Sequence, residues 1–301
     1  MRVGVVDLGT NSVRFDIYDI NKTGRTRNLH RQKQMIRLGD SVFSTGKVGT
    51  SAATRLVELI EDYQYEAYQF KVERLVAYAT SALREATNRR QILRLIHERT
   101  GIEVQVISGK QEAQLIASGI LAKEKRCEGT FGLIDIGGGS TEITGCQGRN
   151  VILSTSLPLG VARLKQQFVP AIPPKDTKAV FTHLDEILAP TARRLKKYQL
   201  THFIGSSGTI KTLARVLRRT TGEKQIRLES LMALRRELRR MNRRQLQKVP
   251  GLPERRVDLI LPGAILLEAC MKACRVDRVI PTPFALRDGL LEEVISQVGH
   301  A

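Results

Sequence analysis

Two stretches decide the reading of this chain: Asp7-Leu8-Gly9-Thr10-Asn11-Ser12 and Asp135-Ile136-Gly137-Gly138-Gly139-Ser140-Thr141. Each begins with aspartate, passes an apolar residue to glycine, and ends in side chains that donate hydrogen bonds. Each follows a short apolar run, Val3-Gly4-Val5-Val6 in one case and Phe131-Gly132-Leu133-Ile134 in the other, and precedes residues able to return as a strand. Both therefore read as β-hairpin turns with exposed amides, where glycine removes the Cβ that would hold an oxygen away. Successive N–H groups in such a turn make an anion-binding nest, to which Thr10, Asn11, Ser12, Ser140 and Thr141 add donors. Asp7 and Asp135 suit a divalent cation, because Mg²⁺ beside phosphate prefers carboxylate and water oxygens. One glycine turn is weak evidence. Two, with aspartate in the same register, point to duplicated halves whose loops face each other across a cleft and hold one phosphate chain. The competing reading is a pair of tight hairpins without a ligand.

At 301 residues, with 42% hydrophobic content, the chain is long enough for two domains with real cores. No apolar run approaches the roughly 20 residues that span a bilayer, and no charged-then-apolar leader precedes the first strand, so a soluble, cytoplasmic protein without membrane association is expected. Cys127, Cys146, Cys270 and Cys274 are too scattered for a disulfide framework and read as free thiols, mostly buried. The net charge of +19 calls for a polyanionic partner. Tryptophan is absent and no helix-turn-helix, zinc-finger or RNA-recognition pattern occurs, so nucleic acid is disfavoured and a phosphate polymer satisfies the charge. The densest run, Leu231 to Arg244, is expected to be one amphipathic helix. Leu231, Leu234, Leu238 and Met241 mark its inner face; Arg235, Arg236, Arg239, Arg240, Arg243 and Arg244 make an outer polyanion-binding stripe or a merely solvated face.

Periodicity predicts strands first and then alternating helix and strand, an α/β plan. Val13–Tyr18, Leu29–Met35, Arg74–Ala79 and Glu103–Ile107 read as strands, and Ser51–Tyr68 and Arg89–Thr100 as helices. Ser108 reads as the N-cap of a helix through Leu121. The second half repeats the plan, with strands at Phe131–Leu133, Glu142–Gly145, Asn150–Ser156 and Thr201–Gly205 and helices from Gly160 and Ile210. The division is expected at 1–123 and 124–301, with the last helix, about 285–301, a candidate to pack back on the first domain.

Glu112, at a helix start just before the crossing between halves, is the candidate general base, although acids are also favoured in first turns by the helix dipole. Glu142 follows Asp135 where the strand leaves the glycine loop, so both can face one Mg²⁺ directly or through water. Arg84 reads as a phosphoryl clamp in the first turn of a helix capped by Thr80 or Ser81. Gly205-Ser206-Ser207-Gly208-Thr209 is either a third anion loop or a plain strand-to-helix turn, and Arg163 is a weaker clamp candidate.

These motifs, Asp7 to Phe15, Ala79 to Asn88, Ile107 to Ile116, Asp135 to Glu142 and Gly205 to Thr209, occur in the order in which they occur in the exopolyphosphatase and guanosine pentaphosphate phosphohydrolase family, which the chain resembles. Pro250 to Gly263 and Ala285 to Leu291 resemble its later segments, so the likeness covers essentially the whole chain. The resemblance implies the actin-like ATPase and sugar-kinase superfamily fold: two duplicated ribonuclease-H-like α/β domains with the active-site cleft between them. It makes Glu112 the base that activates water, Asp135 and Glu142 the Mg²⁺-associated acids, Gly137, Gly138, Gly139 and Ser140 the second phosphate loop, and Asn11, Ser12 and Arg84 phosphate contacts. Gly208, Thr10 and Thr141 complete the expected phosphate set, and Asp7 is a further metal candidate. Gln111 stands where the family often has an acid, and the chain runs to Ala301 without the helical C-terminal half of long members. The expectation is a homodimeric, Mg²⁺-dependent exopolyphosphatase. pppGpp is the nearest rival substrate; a phosphotransferase and a binding-only polyanion sensor are further away.

Overall fold

The computed structural model describes residues 1–21, 23–174 and 176–298. Its first half comprises Arg2–Leu8 (β1), Val13–Ile20 (β2), Thr26–Gln34 (β3), Gly39–Thr45 (α1), Thr50–Gln69 (α2), Arg74–Ala79 (β4), Ser81–Glu85 (α3), Arg89–Thr100 (α4), Val104–Val106 (β5) and Gly109–Lys123 (α5). The second comprises Thr130–Ile136 (β6), Thr141–Gln147 (β7), Asn150–Leu157 (β8), Val161–Phe168 (α6), Lys178–Lys196 (α7), Phe203–Ser206 (β9), Ser207–Thr221 (α8), Ile226–Arg227 (β10), Leu228–Arg240 (α9), Arg243–Gln247 (α10), Val257–Cys274 (α11), Arg278–Pro281 (β11) and Leu286–Val298 (α12).

The duplication is visible in the topology. The first sheet runs β3-β2-β1-β4-β5 and the second β8-β7-β6-β9-β11, extended by β10. In both, an antiparallel three-strand meander is followed by two parallel strands. The parallel strands need crossovers, which the helices supply. One core packs the first sheet against α1 to α4, around Phe15, Leu56, Ile60 and Tyr63. Another packs the second sheet against α6 to α9 and α11, around Phe203, Leu213 and Ile265.

A third core joins the halves. Val3, Val5 and Tyr78 of the first sheet and Phe131, Leu133 and Ile204 of the second close on Ile116 and Ile120 of α5 and Leu290 and Val294 of α12. Gly119 and Gly289 let these two helices approach backbone to backbone, since a Cβ on Gly119 would meet the Gly289 amide. Thus α12 does pack back on α5 and β1, and residues 299–301 of the expected last helix lie outside the described residues. All four cysteines are free; Cys127, Cys146 and Cys270 are buried and Cys274 half-buried. Among the described residues no helix is long and apolar enough to cross a membrane.

The expected single helix over Leu231–Arg244 is corrected. It breaks at Met241–Asn242, where the Asn242 side chain accepts from the Gln245 amide and starts α10. Nor do its arginines form one outward stripe. Arg235 turns inward, donating from Nε to Glu268 Oε2 at 2.5 Å and lying over the Phe181 ring, while Arg243 pairs with Asp258. Glu268 is 1% exposed and must be paired to be buried. That requirement, with the like-charge repulsion along the run, sends Arg235 to the core side. Arg236, Arg239, Arg240, Arg243 and Arg244 are exposed.

Candidate active site

The two hairpin turns are superimposable in pattern. Leu8 pairs with Val13 and Ile136 with Thr141, each closing a four-residue turn. The Gly9 amide donates to Ser12 O at 3.2 Å and the Gly137 amide to Ser140 O at 2.9 Å. The turns meet across the cleft: a Cβ on Gly138 would lie 2.7 Å from both Thr10 Cβ and Asn11 Nδ2. Between them is a cavity of about 110 Å³ lined by both loops and by Asp7, Arg14, Glu112, Asp135, Gly208 and Arg256. The space is open to solvent on one side and lined by the donors of both loops, so a phosphoryl group can enter it and meet them. The N-terminus of α8, a 15-residue helix, opens onto it through Ser207, Gly208 and Thr209. Ser207 holds φ at 88°, a strained left-handed value that turns the strand sharply into the helix.

One pole of the cavity is acidic. Burial raises the carboxyls of Asp7 and Asp135 above the ordinary range against the lowering effect of Arg14 on both and of Ser206 on Asp135, and Asp135 raises Asp7 further. Burial also lifts Glu112 to about 7, against the lowering effect of Arg84, with Asp135 and Asp7 adding to the rise. Glu142 is raised by burial and then by Glu112 and Asp135. The last effect follows from register, because Asp135 and Glu142 are direct cross-strand partners. Ser206 donates to Asp135, and Ser156 donates to Glu142 Oε1 at 2.7 Å. Asp7 and Asp135 line the cavity, whereas Glu142 stands behind Ser140.

The other pole is basic, and none of its side chains was singled out in the sequence. Lys33 lies on the exposed strand β3 beside the cavity, and desolvation by its neighbours, then Arg14, Arg256 and Arg255, lower its ammonium. Lys211 falls to about 8 through burial, Arg287 and Arg14. Arg256 falls to about 10 through burial, Arg14, Arg255 and Arg215. Cations from β2, β3, α8, α12 and the 3₁₀ turn at Glu254–Arg256 are thus brought near one another.

Between the poles, Arg84 Nη1 donates to Glu112 Oε2 at 2.9 Å and to Ile107 O at 3.0 Å. Ser108 accepts from the Gln111 amide while Gln111 Oε1 accepts from the Ser108 amide, a reciprocal cap that fixes the first turn of α5 and Glu112 with it. At the lip, Arg163 donates from Nη2 to both Glu85 carboxylate oxygens at 2.6 and 2.7 Å and from Nε to Gly139 O at 3.0 Å. Its guanidinium also lies 4.2 Å from the Phe43 ring centroid. These contacts tie the second phosphate loop to the first half.

Residues 17–297 match the model of the Ppx/GppA phosphatase family. The chain belongs to that family. It is therefore a phosphatase, with the two-domain fold of the actin-like ATPase superfamily. It is 29% identical to Exopolyphosphatase 1 of Mycobacterium tuberculosis over 97% of this chain and 87% of the relative. It is 27% identical to Exopolyphosphatase 2 of the same organism over 96% and 97%. Among solved structures, an exopolyphosphatase from Cytophaga hutchinsonii superposes with a TM-score of 0.89 at 26% identity, covering 99% of this chain and 98% of that one. The Aquifex aeolicus family member gives 0.78 at 27% identity, with 99% and 98% coverage.

In this phosphatase the fold brings Thr10, Asn11, Ser12, Gly137, Gly138, Gly139, Ser140 and Gly208 onto one cavity wall with Asp7, Asp135 and Glu112. Two of the expected phosphate contacts do not lie there. The Thr141 hydroxyl donates to Leu159 O at 2.6 Å and is fully buried, because the first residue of β7 points to the opposite face. Arg84 belongs to a five-residue helix, in its last turn, without a side-chain cap, and its guanidinium is bound to Glu112. Arg14 and Arg256 lie inside the quoted motifs, but only the sheet register and the approach of the 254–256 turn reveal that they face the cavity.

Proposed function

We propose that this phosphatase is an exopolyphosphatase, removing the terminal phosphate of linear inorganic polyphosphate with water as acceptor. The observation that carries the reading is the charge of one cavity: buried Asp7, Asp135 and Glu112 line it together with Arg14, Arg256 and both glycine loops. Acids raised by burial and by one another call for a cation, and cations lowered by one another call for a polyanion. A Mg²⁺-bearing phosphate chain answers both. Among the described residues no three acidic, His or Cys side chains converge to hold a metal unaided. That fits Mg²⁺, which keeps several waters and takes phosphate oxygens alongside one or two carboxylates. Asp7 and Asp135 would hold it, with Glu142 behind them, and when bound it would neutralise charge on the phosphate oxygens.

The two glycine loops and the α8 N-terminus orient the terminal phosphoryl. Glu112 accepts a proton from water as the water oxygen bonds to phosphorus, and the bond to the bridging oxygen breaks with its electron pair staying on the shortened chain. Arg84 holds the Glu112 carboxylate in place. Arg14 and Arg256 line the cavity and face the remaining chain, with exposed Lys33 on β3 beside Arg14, and this spread over several elements favours a polymer over a single nucleotide.

The test is phosphate release with Mg²⁺ from long polyphosphate, short polyphosphate, pppGpp and ATP, with Glu112→Gln as control. Preference for long chains and a loss of about 10²–10⁴-fold in kcat for the variant are expected. Preference for pppGpp would make it an alarmone phosphatase. Transfer of phosphate to ADP, or binding without release, would indicate a phosphotransferase or a sensor.

A further inference from the structure

Behind the cavity lies a second one of about 430 Å³, whose wall includes Arg84, Gly109, Lys110, Ser140, Ser154 and Ser156. The two cavities share Ser140. Their partition is made of the reaction's own acids: Glu112 lines the first while its partner Arg84 lines the second, and Ser156 of the second donates to Glu142. The second cavity is built for an anion. Two cations and several hydroxyls line it, and the 15-residue helix α5 begins there at Gly109. Its acidic member, Glu85, is neutralised by the bidentate contact with Arg163. Lys110 is exposed and forms no ion pair among the described residues.

The chemistry needs a place for its product on this side. In an in-line displacement the phosphorus moves from the leaving oxygen toward the attacking water. The water is on the Glu112 side, where Arg84, Asp135 and Asp7 are the charges that act on Glu112. The leaving chain takes the cationic part of the lining, Arg14 and Arg256, and Arg14 also acts on Lys33, Arg256 and Lys211 beside it. Orthophosphate is therefore formed against the partition, and the cation-held chain blocks the way out at the front.

We infer that the second cavity is an orthophosphate exit subsite, with Lys110 and Arg84 as its cations, through which product leaves while the shortened chain stays bound. The inference rests on the exopolyphosphatase reading for its direction of travel, but the binding of phosphate is testable without turnover.

Calorimetry of inorganic phosphate on the full-length chain should find two sites, and Lys110→Glu, a change at an exposed position, should weaken one of them by about tenfold or more, as loss of a charged hydrogen bond does. In steady state, orthophosphate should inhibit polyphosphate hydrolysis in a mixed manner, because product and chain are held together. The same variant should need about tenfold more orthophosphate for inhibition, with an unchanged KM for polyphosphate. Equal phosphate binding by wild type and Lys110→Glu, or strictly competitive inhibition, would overturn the subsite. A Lys110-dependent phosphate site in a protein that releases nothing from polyphosphate would overturn the functional reading and leave the subsite standing.

Discussion

The hairpin of β1 and β2 and the hairpin of β6 and β7 have the same turn length and the same leading aspartate, yet they place opposite charges beside it. Asp7 faces Arg14, while Asp135 faces Glu142. An opposite-charge cross-strand pair is favourable and a like-charge pair costs stability. The first hairpin sets a guanidinium beside its aspartate, which lowers the Asp7 carboxyl against the larger effect of burial. The second sets two buried acids side by side, relieved in part by the Ser206 and Ser156 hydroxyls, and a cation would stabilise the pair further. A duplicated scaffold has become asymmetric in charge, with arginine across from one aspartate and glutamate across from the other.

The largest effect should come from destroying the contact between the turns. Gly138→Ala places a methyl 2.7 Å from Thr10 Cβ and Asn11 Nδ2. The turns must separate, and a displacement of about 1 Å costs on the order of a hundredfold in rate. Steady-state kinetics with tripolyphosphate would check this; unchanged kcat/KM would mean that the turns need not meet.

Next is the charge on the first hairpin. Arg14→Gln should lower kcat/KM for polyphosphate by about tenfold or more, the value of a charged hydrogen bond, chiefly through KM. A loss confined to kcat would move Arg14 from chain holding to chemistry and weaken the division of labour.

A smaller effect concerns the base between the hairpins. In the proposed mechanism Glu112 acts deprotonated, so kcat/KM should rise with pH through its titration, near the value of about 7 set mainly by burial. Arg84 lowers that value by its charge and hydrogen bond. Arg84→Gln should therefore shift the rising limb to higher pH, with more activity lost at pH 6 than at pH 9. A limb that stays in place in the pH–rate profile would separate Arg84 from Glu112.

The smallest effect is on stability. Glu142 has a folded-state value above its unfolded value, so the folded state binds the extra proton. Its contribution is fully present below the unfolded value near 4.5 and is lost as pH rises toward the higher folded one. Glu142→Gln should therefore raise the Tm of the metal-free protein at pH 8 relative to wild type and reduce the further rise produced by Mg²⁺. Calorimetric melts at pH 5 and pH 8 would check it, and a lower Tm at pH 8 would show that the second hairpin stores no repulsion.

Much of this asymmetric pair was legible because it is local. Glycine turns, an N-cap at Ser108 and alternating apolar residues are written within a few positions of one another, and their hydrogen bonds close over equally short separations. The places that misled are those where a distant group competes for a side chain. Arg84 met Glu112, Thr141 met the Leu159 carbonyl, and Arg235 met buried Glu268. Each was a reasonable surface or site donor by type, and each was claimed by a buried acceptor that had to be satisfied.

By itself, the sequence determined the duplication, the two turns with their aspartates, the position of Glu112 at a helix start and the strongly basic charge. Only the tertiary structure decided which cations gather at the cleft. Arg14, Lys33, Lys211 and Arg256 come from separate elements and share no spacing rule. Sheet register aims the first two, and the docking of α8 and the 254–256 turn beside the cleft brings the others. Backbone signals are short-range, whereas like charges are crowded together only when packing of apolar cores elsewhere supplies the free energy to hold them.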